Sequence, residues 1–210
     1  MRTSRKGFTL IEMTVATGLL GVVMGSALMM TVAGRSAFEE AAQRQQAEST
    51  VRRALERVVL EMQWAESDGL SPDCSAGSPT VTFQPWVGVA GGAAVWGDSR
   101  RIARVASAND ADDGLDNDGD GVIDEGDLVM TIDPGGPDEF SVTLCTQVTE
   151  MAPGETLNGI DDDGNGVIDE RGFNVEALGN LITLRLSVAQ PTSGNTVTMS
   201  SITTSITLRN

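Results

Sequence analysis

The chain has 210 residues, 14 Lys+Arg against 30 Asp+Glu, and a formal net charge of −16. That balance excludes a protein that holds nucleic acid through its phosphates, since such binding needs cations to neutralise them and release counterions. With no histidine and only two widely separated cysteines, Ser-His-Asp and Cys-His nucleophile systems, His-ligated zinc and Cys-cluster metal sites are excluded too.

The first predicted element is a membrane helix behind a basic start. Residues 1–7 carry Arg2, Arg5 and Lys6 and no acid, and residues 13–34 contain no charge. At ~1.5 Å per residue this run makes roughly 33 Å of helix, enough for a bilayer core of ~30 Å. The cations on its amino side predict a single membrane pass with a cytoplasmic amino terminus and an exported remainder. A secretory signal peptide shares the basic start, but its apolar centre is usually ~7–15 residues and ends at a small-residue cleavage site. A plain anchor leaves Glu12 unexplained, because an acid at mid-helix costs about 2.5–3.5 kcal/mol to insert, less near the interface.

Arg5-Lys6-Gly7-Phe8-Thr9-Leu10-Ile11-Glu12 resembles the cleavage and methylation motif of type IV prepilins and type II secretion pseudopilins. The resemblance implies that residues 1–7 are a leader, and that a prepilin peptidase cuts between Gly7 and Phe8 and methylates the new amino group of Phe8. It also implies that Glu12 neutralises the amino terminus of a neighbouring major or minor pilin in a filament. Such a partner is what a carboxylate inside an apolar bundle requires. Loss of the three leader cations would take the net charge from −16 to −19.

Beyond Arg35 the pattern turns amphipathic. Val51, Leu55, Val58 and Met62 recur at helical spacing, with Arg52, Arg53, Glu56, Arg57 and Glu61 on other faces. Residues 8 to about 64 therefore read as one helix. Residues 8–34 would serve membrane and filament core, and residues 35–66 would back a β-rich head over 67–210. The cations of this stretch read as a solvated face with pairs such as Glu48-Arg52, worth ~0.2–0.5 kcal/mol each, or as a partner site.

Strand-like runs follow at 80–89, 101–107, 127–133 and 139–148, bounded by Gly, Pro or Asp. Two acidic stretches, 110–127 and 158–172, interrupt them and hold 14 of the 30 acids. Residues 113–125 align without gaps to 158–170, and their thirteen positions hold nine identities. Counting from Asp116, side-chain oxygens fall at positions 1, 3 and 5 (Asp116, Asp118, Asp120), glycine at 6, and a main-chain carbonyl at 7 (Val122). The second copy supplies Asp161, Asp163, Asn165, Gly166 and Val167. This resembles the first half of an EF-hand calcium loop, whose glycine permits the sharp turn that lets alternate side chains converge on one cation.

The likeness then departs. The glutamate expected at position 12 is Asp127 in one copy and Gly172 in the other. The segments look more like the helix-free calcium loops of thrombospondin type 3 repeats, in which Asp124 and Asp169, or the adjacent Glu125 and Glu170, would complete the shell. Two Ca²⁺ ions are the implied cofactors, because calcium accepts six to eight oxygens at relaxed geometry. The bland alternative is a pair of solvated, self-repelling acidic loops.

Residues 181–188 and 196–208 alternate apolar and polar side chains around turn chemistry at 191–195, which predicts a terminal hairpin. The fold class is α+β, a long helix on an antiparallel sheet, and the resemblance implies the pilin fold. The head is large for a major pilin. Its ending, Ser205-Ile206-Thr207-Leu208-Arg209-Asn210, looks like that of W-type minor pilins, while its size also suits J-type pseudopilins. Cys74 and Cys145 in an exported head are expected to pair, which would stabilise it by ~4 kcal/mol in a chain-entropy treatment; two buried thiols are the alternative. No nucleophile–base pair or phosphate loop is present, so the expected protein is not an enzyme. By the resemblance its expected places are the inner membrane, then a pilus or periplasmic pseudopilus, and a calcium-dependent adhesin exported as a pilin is the other class.

Overall fold

A computed structural model describes residue 7, residues 9–192 and residues 196–208. The leader cations, the scissile-bond residue Phe8 and the turn residues 193–195 lie outside them. The chain divides into two units, Met1–Ala42 and Gln43–Asn210, each described by itself.

Helix α1, Leu10–Met62, begins in the first unit and ends in the second. Its start is a capping box. Thr9 Oγ1 accepts the N–H of Glu12 at 3.3 Å, and Glu12 Oε2 accepts the N–H of Thr9 at 2.8 Å. Hydroxyls farther along, such as Thr17, Ser26 and Thr31, donate back to carbonyls three or four residues earlier. Their polar hydrogens are thereby satisfied within an apolar surface. By length and composition this helix can cross a membrane, with a mean hydropathy of 1.9 over its most apolar window and none of that window buried.

In the second unit the carboxy-terminal part of α1 has a different character. Ala47, Val51, Ala54, Leu55, Val58 and Met62 form one buried stripe and belong to the same core cluster as the sheet residues Val81, Phe83, Ile102, Leu128, Phe173, Leu184 and Leu186. Trp64, just past the helix, stacks on Trp86 with ring centroids 6.3 Å apart.

The strands are β1 (Thr80–Phe83), β2 (Trp86–Ala90), β3 (Ala93–Trp96), β4 (Arg100–Ala106), β5 (Gly126–Ile132), β6 (Phe140–Val148), β7 (Phe173–Leu178), β8 (Leu181–Thr192) and β9 (Thr196–Thr207). All pairings are antiparallel. The main sheet runs β1-β4-β5-β6-β8-β7, with β9 on the other edge of β8. Strand β8 carries β9 along its whole length, while its opposite edge meets β7 over Leu181–Leu186 and β6 only at Val188. This α+β layout fits the pilin fold.

Two local expectations need correction. The run 80–89 is two strands, because Pro85 lacks an N–H for a ladder; β2 instead turns back through Gly91-Gly92, both at positive φ, into β3. Residues 173–178, unassigned in the sequence, form β7, with Phe173 and Val175 fully buried. The terminal hairpin is present, in register from Leu181↔Thr207 to Thr192↔Thr196.

Cys74 and Cys145 are free, so the expected disulfide is not made. Each thiol is buried in the core cluster and donates to a nearby carbonyl, Cys74 to Pro72 at 3.3 Å and Cys145 to Thr146 at 3.4 Å. Cysteine here packs as a small apolar side chain.

Candidate metal centres and the amino-terminal motif

The acidic loops join β4 to β5 and β6 to β7. In register, Ala106 faces Gly126, Gly126 faces Val148, and Val148 faces Val188. The end of β4 and the end of β6 thus lie in one row across the sheet, and both loops leave from the same end of it. Their bases close alike: Ser107 N–H donates to Glu125 O at 3.2 Å, and 45 residues later Ala152 N–H donates to Glu170 O at 2.8 Å.

Inside the bases the two copies share one hydrogen-bond scheme. Asp116 takes the N–H groups of Gly119 (2.6 Å) and Gly121 (2.9 Å), as Asp161 takes those of Gly164 (2.7 Å) and Gly166 (2.8 Å). Asp118 accepts Asp120 N–H and Asp120 accepts Val122 N–H; Asp163 accepts Asn165 N–H and Asn165 accepts Val167 N–H. Gly121 at φ 93° and Gly166 at φ 97° sit where a side chain would be strained. These bonds curl each loop around its own first aspartate.

Among the described residues two groups of acids converge with ligand oxygens within 4.8 Å of one another. One is Asp116, Asp118 and Asp120, and the other is Glu155, Asp161 and Asp163. Carboxylate oxygens are the donors a hard divalent cation prefers, so the residue types fit calcium.

Other candidates are used differently. Asp124 and Asp169, at φ 53° and 50°, reach back across their loops. Asp124 Oδ1 accepts the N–H groups of Asp113 and Gly114, both at 2.9 Å, and Asp169 Oδ1 accepts those of Asn158 and Gly159, both at 2.8 Å. They are clamps in this structure and stand outside the converging groups. Asp127 lies in β5 opposite Val105. Asn165 Nδ2 donates to Asp163 Oδ2 at 2.9 Å and Glu170 Oε2 at 2.8 Å. Glu170 is buried and also receives Asn174 and the guanidinium of Arg185. Glu125 is buried, and among the described residues its Oε2 has no hydrogen-bond partner. Its carboxyl is pushed up to about 7, by burial first and then by Asp110.

Two acids were missed in the sequence. Asp110 is fully buried and accepts the N–H of Asn117 at 2.7 Å and of Glu125 at 3.2 Å. Glu155, its counterpart 45 residues on, accepts the N–H of Asp162 at 3.1 Å and Asp163 at 2.9 Å. The common offset was the available signal. Arg104 ties the first loop down, with paired bonds to Asp112 (2.8 and 2.7 Å), one to Asp124 O, and one to Val148 O at 3.1 Å.

In the first unit, Gly7 is exposed and precedes the helix. Glu12 lies one turn further on, engaged by Thr9 through backbone and hydroxyl. Residues 2–28 match the prokaryotic N-terminal methylation motif. The match supports a protein of the type IV prepilin and pseudopilin kind, and it implies processing by a prepilin peptidase and assembly with other pilins. The same motif suggests a structural protein rather than an enzyme, and motif and apolar helix together fit membrane anchoring before assembly. No curated protein and no solved structure matches the chain.

Proposed function

We propose that the chain is a minor pilin, cut between Gly7 and Phe8, incorporated at or near the tip of a type IV pilus, and carrying a head that two calcium ions hold in shape. The observation that supports it best is one helix with two characters. Its first part presents an apolar surface headed by Glu12, and its last turns are built into a β-sheet core. A helix exposed in this way is apolar surface in search of a lipid or a bundle of like helices. The motif at its start names the second partner after the first.

Assembly would exchange the Thr9 contacts of Glu12 for the amino terminus of a neighbouring subunit. Calcium would be held by Asp116, Asp118 and Asp120 in the first loop and by Asp161 and Asp163 in the second. The ions would neutralise carboxylates that repel one another in their absence.

The test is a chromosomal Glu12→Val variant beside the wild type, with sheared surface filaments and membranes probed for the protein. Wild type in the sheared fraction and the variant confined to the membrane are expected. Wild type confined to the periplasm, with loss of enzyme secretion on deletion, would favour a type II secretion pseudopilin. For calcium, isothermal titration of the full chain in detergent without uptake at millimolar concentration, the weak end for extracellular sites, would remove that part of the reading.

A further inference from the structure

The two loops share a backbone scheme but differ in which acid is left without a partner. In the first loop Asp110 is consumed, each of its oxygens taking a backbone N–H. In the second, Glu155 occupies the equivalent position with a side chain one methylene longer. Its Oε1 accepts the N–H groups of Asp162 and Asp163, and among the described residues its Oε2 has no hydrogen-bond partner although the residue is only 6% exposed. A buried carboxylate oxygen left alone is costly unless something cationic meets it.

The Glu155 carboxylate is itself a member of the loop's own cluster. A Glu155 carboxylate oxygen lies within 4.8 Å of those of Asp161 and Asp163. The guanidinium of Arg185 does not fill that place. Arg185 is engaged by Glu170 and stands 3.6 Å from Asp163 Oδ2, with no bond to Glu155. The acid that the calcium-loop pattern offers for closure, Glu170, is already held by Asn165, Asn174 and Arg185.

We propose that Glu155, six residues ahead of Asp161, is a direct ligand of the second divalent cation and takes the closing role that Glu170 cannot. This rests on the reading that the loops bind calcium. It makes the sites unequal. The first is assembled from acids within its loop, and the second borrows one from the segment leading out of β6, so that filling it fixes the loop to the end of that strand.

The experiment is calcium titration of the full chain in detergent, metal-stripped beforehand, as wild type, Glu155→Gln and Asp116→Asn. The amide can still accept the N–H groups of Asp162 and Asp163, and it replaces the unpartnered Oε2 by a group of the same shape. The metal-free melting temperature of Glu155→Gln is therefore expected to hold or rise, where a purely structural role would lower it. Expected are two sites in the wild type, and a second site weakened about tenfold or more by Glu155→Gln, since ligand charge sets affinity in such loops. Asp116→Asn should weaken the other site only. Two sites in Glu155→Gln, each changed less than about fivefold, would overturn this inference and leave the calcium reading intact. No uptake by the wild type would overturn both.

Discussion

Arg185, on the central strand β8, donates to the carboxylate of Glu170, which is buried at the close of the second acidic loop. The same guanidinium stands 3.6 Å from Asp163 in the second acidic cluster. Arg185 thus serves as a built-in cation for the loop. Replacing it should have two effects of opposite sign. Arg185→Met leaves Glu170 buried with only amide partners. It should cost about 1–3 kcal/mol in the metal-free chain, less than the ~3–5 for a wholly buried pair, because the arginine is a quarter exposed. Calcium affinity of the second site should rise, because a competing positive charge has gone. Denaturation with and without calcium checks both; equal destabilisation in the two conditions would sink the idea.

A pH dependence follows from Glu125. Burial, and next the carboxylate of Asp110, push its carboxyl from an ordinary 4.5 up to about 7. Between those values the folded chain holds a proton that the unfolded chain has lost, so metal-free stability is fully present below about 4.5 and declines as pH climbs to about 7. Asp110 does not cancel this, since the Asn117 N–H lowers its carboxyl and its effect falls below its ordinary 3.8. Chemical denaturation of metal-stripped protein across this range should show the decline in wild type and a flatter profile in Glu125→Gln. Identical slopes in the two proteins would refute the assignment.

The helix and the loop interiors were legible in the sequence because each rests on local spacing. Val51, Leu55, Val58 and Met62 all lie in the core, and the acids at positions 1, 3 and 5 of the first loop converge. What spacing could not supply was the use of each oxygen. Asp124 and Asp169 have the right type and place for ligands, yet a positive φ turns them onto the backbone of their own loops. Asp110 and Glu155 escaped because the identities stop at Gly114 and Gly159, and the residues just before the two acids, Ala108-Asn109 and Pro153-Gly154, differ in kind. Strand β7 went unassigned although Phe173-Asn174-Val175-Glu176-Ala177 alternates apolar and polar residues, because so short a run directly after an acidic loop stands out only once it pairs with β8.

The cysteines make a further test. Burial pushes the Cys145 thiol up to about 11, with Asp127 adding to it, and burial raises Cys74 as well. The reactive species is the thiolate, so both should resist a thiol reagent at pH 8 while the chain is folded. On unfolding without reductant, two thiols should react at once. Purification from the exported fraction with no titratable thiol, and a mass two hydrogens lighter than the reduced chain, would show a disulfide instead.

Each loop ends on a glycine set against a neighbouring strand. A Cβ on Gly126 would lie 2.3 Å from the carbonyl oxygen of Val105, and one on Gly172 would lie 2.0 Å from that of Thr149. Both obstacles are backbone, which cannot rotate away as a side chain can. Gly172 also donates to Glu150 O and accepts from Ser187 N–H, so it is pinned from two sides while β7 leaves the loop. Gly172→Ala should therefore force the loop base apart and cost about 2–3 kcal/mol, as overpacking does in a core. Gly159→Ala is the informative comparison. No atom lies within 4 Å of its Cβ, although its φ of 78° adds some strain, so its cost should stay near 1 kcal/mol, the scale of a left-handed non-glycine residue. Thermal denaturation in calcium ranks the two, and a Gly172 variant as stable as the Gly159 variant would mean that the strand end yields where its hydrogen bonds say it is fixed.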